Sequence, residues 1–221
     1  MIQISHYTFP NELSHSELSA LAMVLPDKMQ KEVWKYRRWQ DRYANLFGKL
    51  ILLTALLEKG YPKNVLETIA YTDFGKPYIP SGIEFNISHS GDSVICAISE
   101  QTPIGIDIEE KKPVDIYEFD GIFSDLEWST LVNDTDPKEN FYRFWTTKES
   151  VIKAVGKGLS LVLKEVMTTE KNTCTYKNID YNIRLLALRD GYACAFASTC
   201  TQPYEVKNIK LTDLKMLIGD N

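Results

Sequence analysis

The 221-residue chain is short of metal-binding and cross-linking side chains. It has four cysteines, Cys96, Cys174, Cys194 and Cys200, and three histidines. No C-x-x-C pair occurs and no histidine is spaced to complete one, so the ligand supply does not suit a structural zinc centre. The cysteines sit in apolar, strand-like runs, which suits reduced, buried thiols. Long hydrophobic runs are also missing. The longest, Leu50 to Leu57, is interrupted by Thr54 and falls far short of the ~20 residues that span a bilayer. Met1 to Pro10 has neither a basic segment nor an apolar one of the secretory kind. The expectation is a cytoplasmic protein with no membrane segment. An excess of positive charge is missing as well: the net charge is −5. A general nucleic-acid binder is usually basic, so no nucleic-acid partner is expected. What remains is ordinary for a soluble globular chain, with 44% apolar and 25% charged residues. That is enough to bury a sizeable core.

The charge is unevenly placed. Residues 27–49 carry seven basic side chains against three acidic ones, a local +4. Residues 107–127 carry eight acids against Lys111 and Lys112, a local −6. One region suits an anion and the other a cation, although two solvated faces would look the same.

Hydrophobic periodicity and capping signals divide the chain into two similar halves. Ile2 to Thr8 reads as a strand. Ser14-His15-Ser16-Glu17 has capping-box spacing and opens a helix. Pro26 opens a second helix, and a long one follows from Trp39 to about Lys59, stopped by Gly60. Strand-like runs come next at Val65–Tyr71, Ile83–Ile87 and Ser93–Ser99. The second half begins with a strand at Ile104–Ile108 and a helical turn near Ile116–Gly121. Ser124-Asp125-Leu126-Glu127 is another capping box, and Pro137 precedes a strong helix to Val155. Strand-like runs follow at Leu163–Thr168, Tyr181–Leu188 and Tyr192–Ala197. The predicted fold is α+β: two pseudo-symmetric α/β halves, each a small, mainly antiparallel sheet packed with helices. The halves are expected at residues 1–102 and 103–221.

Three short segments could carry chemistry. Asp107 and Glu109 alternate in Gly105-Ile106-Asp107-Ile108-Glu109, so both point to one face of a strand. Paired carboxylates repel unless a cation lies between them, and hard oxygen ligands suit Mg²⁺. A solvated strand end is the plain alternative. Glu149 and Lys153 stand at i and i+4 on the strong helix. Either they form a surface ion pair worth a few tenths of a kcal/mol, or Glu149 completes a metal site or serves as a base while Lys153 neutralises phosphate. Ser88-His89-Ser90-Gly91 follows a strand. It is either a polar hairpin turn or a loop whose backbone N–H groups, with His89, meet a phosphate. Gly75-Lys76-Pro77 is an ordinary turn or a rigid one that aims a lysine. Gly156-Lys157-Gly158 lacks P-loop spacing and most simply caps the helix.

The combination is more specific than its parts. Asn-Ile-Ser-His-Ser at 86–90, Gly-Ile-Asp-Ile-Glu at 105–109 and Trp-x-x-Lys-Glu-Ser-x-x-Lys at 145–153 occur in that order, after Gly75-Lys76-Pro77. Together they resemble the surfactin-synthetase-activating (Sfp-type) 4′-phosphopantetheinyl transferases. That resemblance implies transfer of phosphopantetheine from coenzyme A to a serine of an apo acyl or peptidyl carrier protein, with release of 3′,5′-ADP. It implies Mg²⁺, or Mn²⁺, held by Asp107, Glu109 and Glu149. It implies catalytic roles for Glu149, as general base, and for Lys153 and His89. It implies coenzyme A contacts at Lys28, Lys31, Arg42, Lys76, Ser88, His89 and Lys153.

Two departures from the family pattern stand out. A 3′-phosphate arginine expected after Asp41-Arg42 is replaced by Ala44, so that contact is either missing or moved to Arg42 or Lys49. The segment 111–124, which borders the carrier site in the family, is acidic here. Docking would then rest on Ile116, Tyr117, Phe119, Ile122 and Phe123, unless these are helix core. A non-catalytic module that binds coenzyme A or a carrier, and a Mg²⁺-dependent nucleotide phosphohydrolase, are the competing readings. The length matters too. Short synthases of this superfamily assemble with sites between subunits, whereas two similar halves in one chain would build one site as a monomer.

Overall fold

The computed structural model describes residues 1–9, 13–100, 102–158, 163–170 and 172–219. The first half runs through strand β1 (Ile2–Thr8), helices α1 (His15–Ala22), α2 (Asp27–Lys35) and α3 (Trp39–Glu58), then strands β2 (Ala70–Tyr71), β3 (Pro77–Ile79), β4 (Ile83–Ser90) and β5 (Ser93–Ser99). The second runs through β6 (Ile104–Glu110), helices α4 (Asp125–Val132) and α5 (Pro137–Val155), then β7 (Met167–Glu170), β8 (Thr173–Tyr176), β9 (Ile179–Leu185) and β10 (Tyr192–Ser198). The chain continues through β11 (Tyr204–Asn208) and α6 (Leu211–Gly219).

The two halves repeat in topology as well as in order. The first sheet is ordered β11-β1-β5-β4-β3-β2 and the second β6-β10-β9-β8-β7. With β11 set aside, each sheet places its first strand beside its last and then steps back through the hairpins. Every pairing is antiparallel except that of β1 with β11. The fold is therefore α+β, with two mainly antiparallel sheets packed with helices. Residues 204–219 fall with the second half in sequence order but lie against the first: β11 extends the first sheet, and α6 packs on α1 and α3.

Alternation along the inner strands decides what faces what. Ile2 and Ile4 of β1, with Ile95 and Ala97 of β5, meet Ile104, Ile106 and Ile108 of β6 in a dry core between the sheets. The intervening Val94, Cys96 and Ile98 join Phe47, Leu50 and Ile51 of α3 in the core under the first-half helices. On β6 this leaves Gly105, Asp107 and Glu109 on the opposite face, the one covered by α5. Both capping boxes form: Ser14 Oγ accepts from Glu17 N and Ser124 Oγ from Glu127 N, each at 3.3 Å.

Some local expectations change. Val65–Tyr71 is mostly a 3-10 turn over Lys63–Thr68. Val65 and Leu66 are adjacent and both buried, which a strand with one buried face does not permit. Likewise Leu163–Glu165 is a 3-10 turn before β7. Strand β3 opens with a proline and β8 is only four residues long, so neither carries a clear strand signal. Cys96, Cys174 and Cys194 are free and buried, and Cys200 is free and half-buried. Among the described residues, no helix is long and apolar enough to cross a membrane.

Candidate active site

Strand β6 is an edge of the second sheet, and its free side lies along β4 of the first. The link between them is made by β4 side chains of period two. Asn86 Oδ1 accepts from Ile106 N at 2.8 Å, and Ser90 Oγ accepts from Glu110 N at 3.1 Å. Ser88 Oγ donates to Asp107 Oδ1 at 2.9 Å, and Ser90 Oγ to Glu109 Oε2 at 2.8 Å. Of the two readings of 88–91, the loop of backbone N–H groups does not form. β4 runs on through Ser90, pairs with β5 from Glu84 to Ser90 and turns back at Gly91-Asp92, so this segment acts through its side chains. Ile87 and His89 point to the other face. Ile87 packs on Gly48 of α3, and His89 opens into a cleft of about 620 Å³ that Trp39, Asp41 and Lys112 also line.

Helix α5 closes over this seam because Gly105 lets it approach. A Cβ on Gly105 would lie 2.0 Å from the Ser150 carbonyl oxygen and 2.3 Å from the Ala154 nitrogen. The helix presents small residues there, with Thr146, Ser150 and Ala154 all buried at four-residue spacing. The neighbouring face carries Glu149 and Lys153 into a smaller cavity of about 260 Å³, shared with Phe74, Lys76 and Asn86. Lys153 Nζ donates to Asp107 Oδ1 at 2.6 Å and to Ser88 Oγ at 2.9 Å. Lysine, serine and aspartate from α5, β4 and β6 thus meet at one oxygen. Of the two readings of this i,i+4 pair, the surface ion bridge does not form: both side chains turn into the cavity.

The electrostatics are strained toward excess negative charge. Burial raises the Asp107 carboxyl above its usual range, despite the opposing Lys153 ammonium and Ser88 hydroxyl. Burial and then the Asp107 charge raise Glu109, against the Ser90 and Trp145 donors. Burial, followed by Asp107, raises Glu149. His89 is accessible from the cleft, yet the protein around it removes enough water to lower its pKa, and the nearby Lys153 charge adds to this. Among the described residues, Asp107 Oδ2 is buried with no hydrogen-bond partner, an arrangement that costs ~1–3 kcal/mol or more. An unsatisfied buried carboxylate oxygen beside two further carboxylates is a donor set that fits a hard divalent cation. Among the described residues, however, no three acidic or histidine groups are drawn together tightly enough to enclose one.

The expected phosphate cations differ in their freedom. Lys28 and Lys31 are exposed on α2, with the Lys28 ammonium 5.9 Å from the Tyr71 ring centroid. Arg42 donates to the Tyr36 carbonyl at 2.8 Å and lies over Trp34. Lys49 is held by Glu32 at 2.9 Å and Asn45 at 2.8 Å, tying α2 to α3. Lys76 turns its ammonium away from solvent and onto the second half. Of the expected docking residues, Ile116 and Phe123 are buried, Phe119 and Ile122 pack against the same cluster, and only Tyr117 is exposed.

Residues 103–197 match the 4′-phosphopantetheinyl transferase superfamily profile, and residues 12–101 match that of the 4′-phosphopantetheinyl transferase N-terminal region. The chain is 30% identical over 223 residues to the 4′-phosphopantetheinyl transferase gsp of Aneurinibacillus migulanus, covering 98% of this chain and 92% of that one. The chain belongs to the 4′-phosphopantetheinyl transferase superfamily. It is also 39% identical over 148 residues to Sfp of Bacillus subtilis (strain 168), covering 65% of each chain. Against the L-aminoadipate-semialdehyde dehydrogenase-phosphopantetheinyl transferase of Xenopus laevis it is 29% identical over 163 residues, 65% of this chain and 53% of that one. The crystal structure of Thermotoga maritima holo-(acyl-carrier-protein) synthase aligns over 44% of this chain and 63% of that chain, at 21% identity and a TM-score of 0.36.

Sequence reasoning missed one further polar element of this transferase. Lys148 is fully buried beside Glu149 and pairs with the buried Glu127 at 2.8 Å. Its ammonium also donates to the carbonyls of Leu163 and Val166. Glu127 in turn accepts from Ser124 N at 2.8 Å and Thr168 Oγ1 at 2.7 Å. A signal was present. Lys148 interrupts the series Phe141, Phe144, Val151, Val155, whose three- and four-residue steps make its position a core position.

Proposed function

We propose that this chain moves the 4′-phosphopantetheine arm of coenzyme A onto a serine hydroxyl of an apo acyl or peptidyl carrier protein, releasing 3′,5′-ADP. The observation that carries the reading is the meeting of Lys153, Ser88 and Asp107 across the two halves, with Glu149 one turn away on the same cavity wall. The serine oxygen forms a bond to the phosphorus that bears the pantetheine arm. The bond from that phosphorus to the bridging oxygen breaks, and its electron pair leaves with 3′,5′-ADP. Glu149 takes the serine proton, directly or through one water. The Lys153 ammonium offsets charge on the phosphate oxygens as it builds up. Asp107, Glu109 and Glu149 would hold Mg²⁺, or Mn²⁺ in its place, and such an ion supplies Lewis-acid charge neutralisation at the pyrophosphate when bound. Lys28 and Lys31 on α2 give the 3′-phosphate two solvent-facing cations, and His89 adds a donor at the cleft.

One chain supplies both sides of the seam, which supports a monomer as the working unit, and use of coenzyme A supports a cytoplasmic setting. The test is to incubate the protein with coenzyme A, Mg²⁺ and apo carrier proteins from fatty-acid, polyketide and peptide synthesis. Intact mass spectrometry should show a carrier gaining one phosphopantetheine arm. Release of 3′,5′-ADP without any modified carrier would point to hydrolysis and overturn the reading.

A further inference from the structure

We propose that the Lys76 ammonium is a positioning group that locks the end of α5 and the start of β6 onto the first half, and is not a contact for the phosphates of the nucleotide. The inference rests on the transferase reading for its activity arm and on geometry for the rest. The Lys76 side chain is only 9% exposed. Its ammonium donates to the Ala154 carbonyl at 3.0 Å and the Ile104 carbonyl at 3.3 Å, and lies 3.3 Å from Glu84 Oε2. An ammonium has three donors and no acceptor, so these partners use its whole capacity. Turning it toward a phosphate would strip both carbonyls of their donor and leave Glu84 without its counter-ion.

The partners are informative. Ala154 is in the last turn of α5, where carbonyls lack partners within the helix and the helix dipole is negative. Ile104 is the first residue of β6. Lys76 therefore binds the ends of the two elements that carry Lys153, Glu149, Asp107 and Glu109. The turn that aims it is closed by Gly75 N to Thr72 O at 2.9 Å and Thr72 N to Lys76 O at 2.9 Å. Its stem has a fitted seat: Gly156 ends α5 at φ +73°, and a Cβ there would lie 2.5 Å from Lys76 Cδ. Gly75-Lys76 and Gly156 thus form one joint between the halves.

The experiment compares Lys76→Met, which keeps the stem and removes the ammonium, with wild type. It measures binding of 3′,5′-ADP and coenzyme A, kcat at saturating coenzyme A, and hydrogen exchange at residues 152–158 and 104–106. A misplaced catalytic group costs up to about a hundredfold, so kcat should fall at least tenfold. Both dissociation constants should stay within about threefold, a shift well under 1.4 kcal/mol, and exchange at both segments should quicken. A tenfold or greater loss of 3′,5′-ADP binding with kcat at saturation preserved would overturn the proposal. So would unchanged exchange. If Lys76→Met does not fold, Glu84→Gln removes only the counter-ion and should show the same pattern in smaller degree. If wild type transfers nothing to any carrier, the functional reading fails, and the exchange measurement alone still decides the joint.

Discussion

Two lysines of α5, five residues apart, each meet a buried carboxylate, and their surroundings differ in one respect. Lys148 and Glu127 have every partner they need: two carbonyls, a backbone N–H and a threonine hydroxyl complete the pair. Lys153 and Asp107 are left incomplete: Asp107 Oδ2 is buried and unpartnered among the described residues, and two more carboxylates lie close by. Burial pushes the Glu127 carboxyl up, but Lys148 and Thr168 outweigh it and hold it below the usual range. Burial wins at Asp107, which is held above it. A satisfied pair fixes structure. An unsatisfied one keeps a standing demand for a cation or a phosphate, at a cost in stability that the rest of the fold offsets.

Substitutions that separate activity from stability would break or sharpen this contrast. The largest effect is expected at Glu149→Gln, where loss of a general base should lower kcat by about 10²–10⁴-fold with coenzyme A binding and thermal stability kept. Single-turnover assays with a carrier that wild type modifies would check it, and normal turnover would remove Glu149 from both the base and the metal roles. Next comes Lys148→Met. Removing one partner of a buried ion pair costs about 3–5 kcal/mol, so urea unfolding should show that loss while turnover per folded molecule is mostly kept. A smaller effect separates the carboxylates themselves. Asp107→Asn should lower turnover, by no more than Glu149→Gln does, yet shift stability by less than about 1 kcal/mol, because it removes a charge that burial already disfavours. Glu127→Gln should cost clearly more, because it strands Lys148. Equal stability losses at the two positions would erase the distinction between them.

Much of this was legible in the residues. Ser14 and Ser124 announce their helices through the glutamate three places on, and Gly105 to Glu109 announce a strand with both carboxylates on one face. The illegible part shares one cause. Periodicity puts Lys148 at a core position and Gly75-Lys76-Pro77 marks a turn, but only tertiary structure supplies the carbonyls and carboxylates that make burial of either ammonium tolerable. The same holds for Asn86, Ser88 and Ser90. Their alternation was visible, but the free edge of β6 that they satisfy was not. Residues 204–219 carry no signal for their partner, since a parallel pairing with β1 joins positions some two hundred residues apart.

The smallest expected effect is in acid, and it isolates the structural pair. Glu127 has a folded-state pKa below its ordinary value of 4.5. A carboxyl of this kind contributes stability that is fully present above its unfolded pKa and is lost as pH falls through the folded one. The comparison is wild type against the double variant Glu127→Gln, Lys148→Met, in which the pair is replaced by uncharged groups of similar volume. The double variant leaves no buried charge unpaired, so it should fold and be more stable than Lys148→Met alone. Urea unfolding across acid pH gives the difference between the two proteins. It should be constant above about 4.5 and should move against wild type below it, because only wild type has this carboxylate to protonate. The active-site carboxylates are common to both proteins and cancel. A difference that stays flat into strong acid would mean Glu127 titrates alike folded and unfolded. The pair would then be no better satisfied than the one at Asp107.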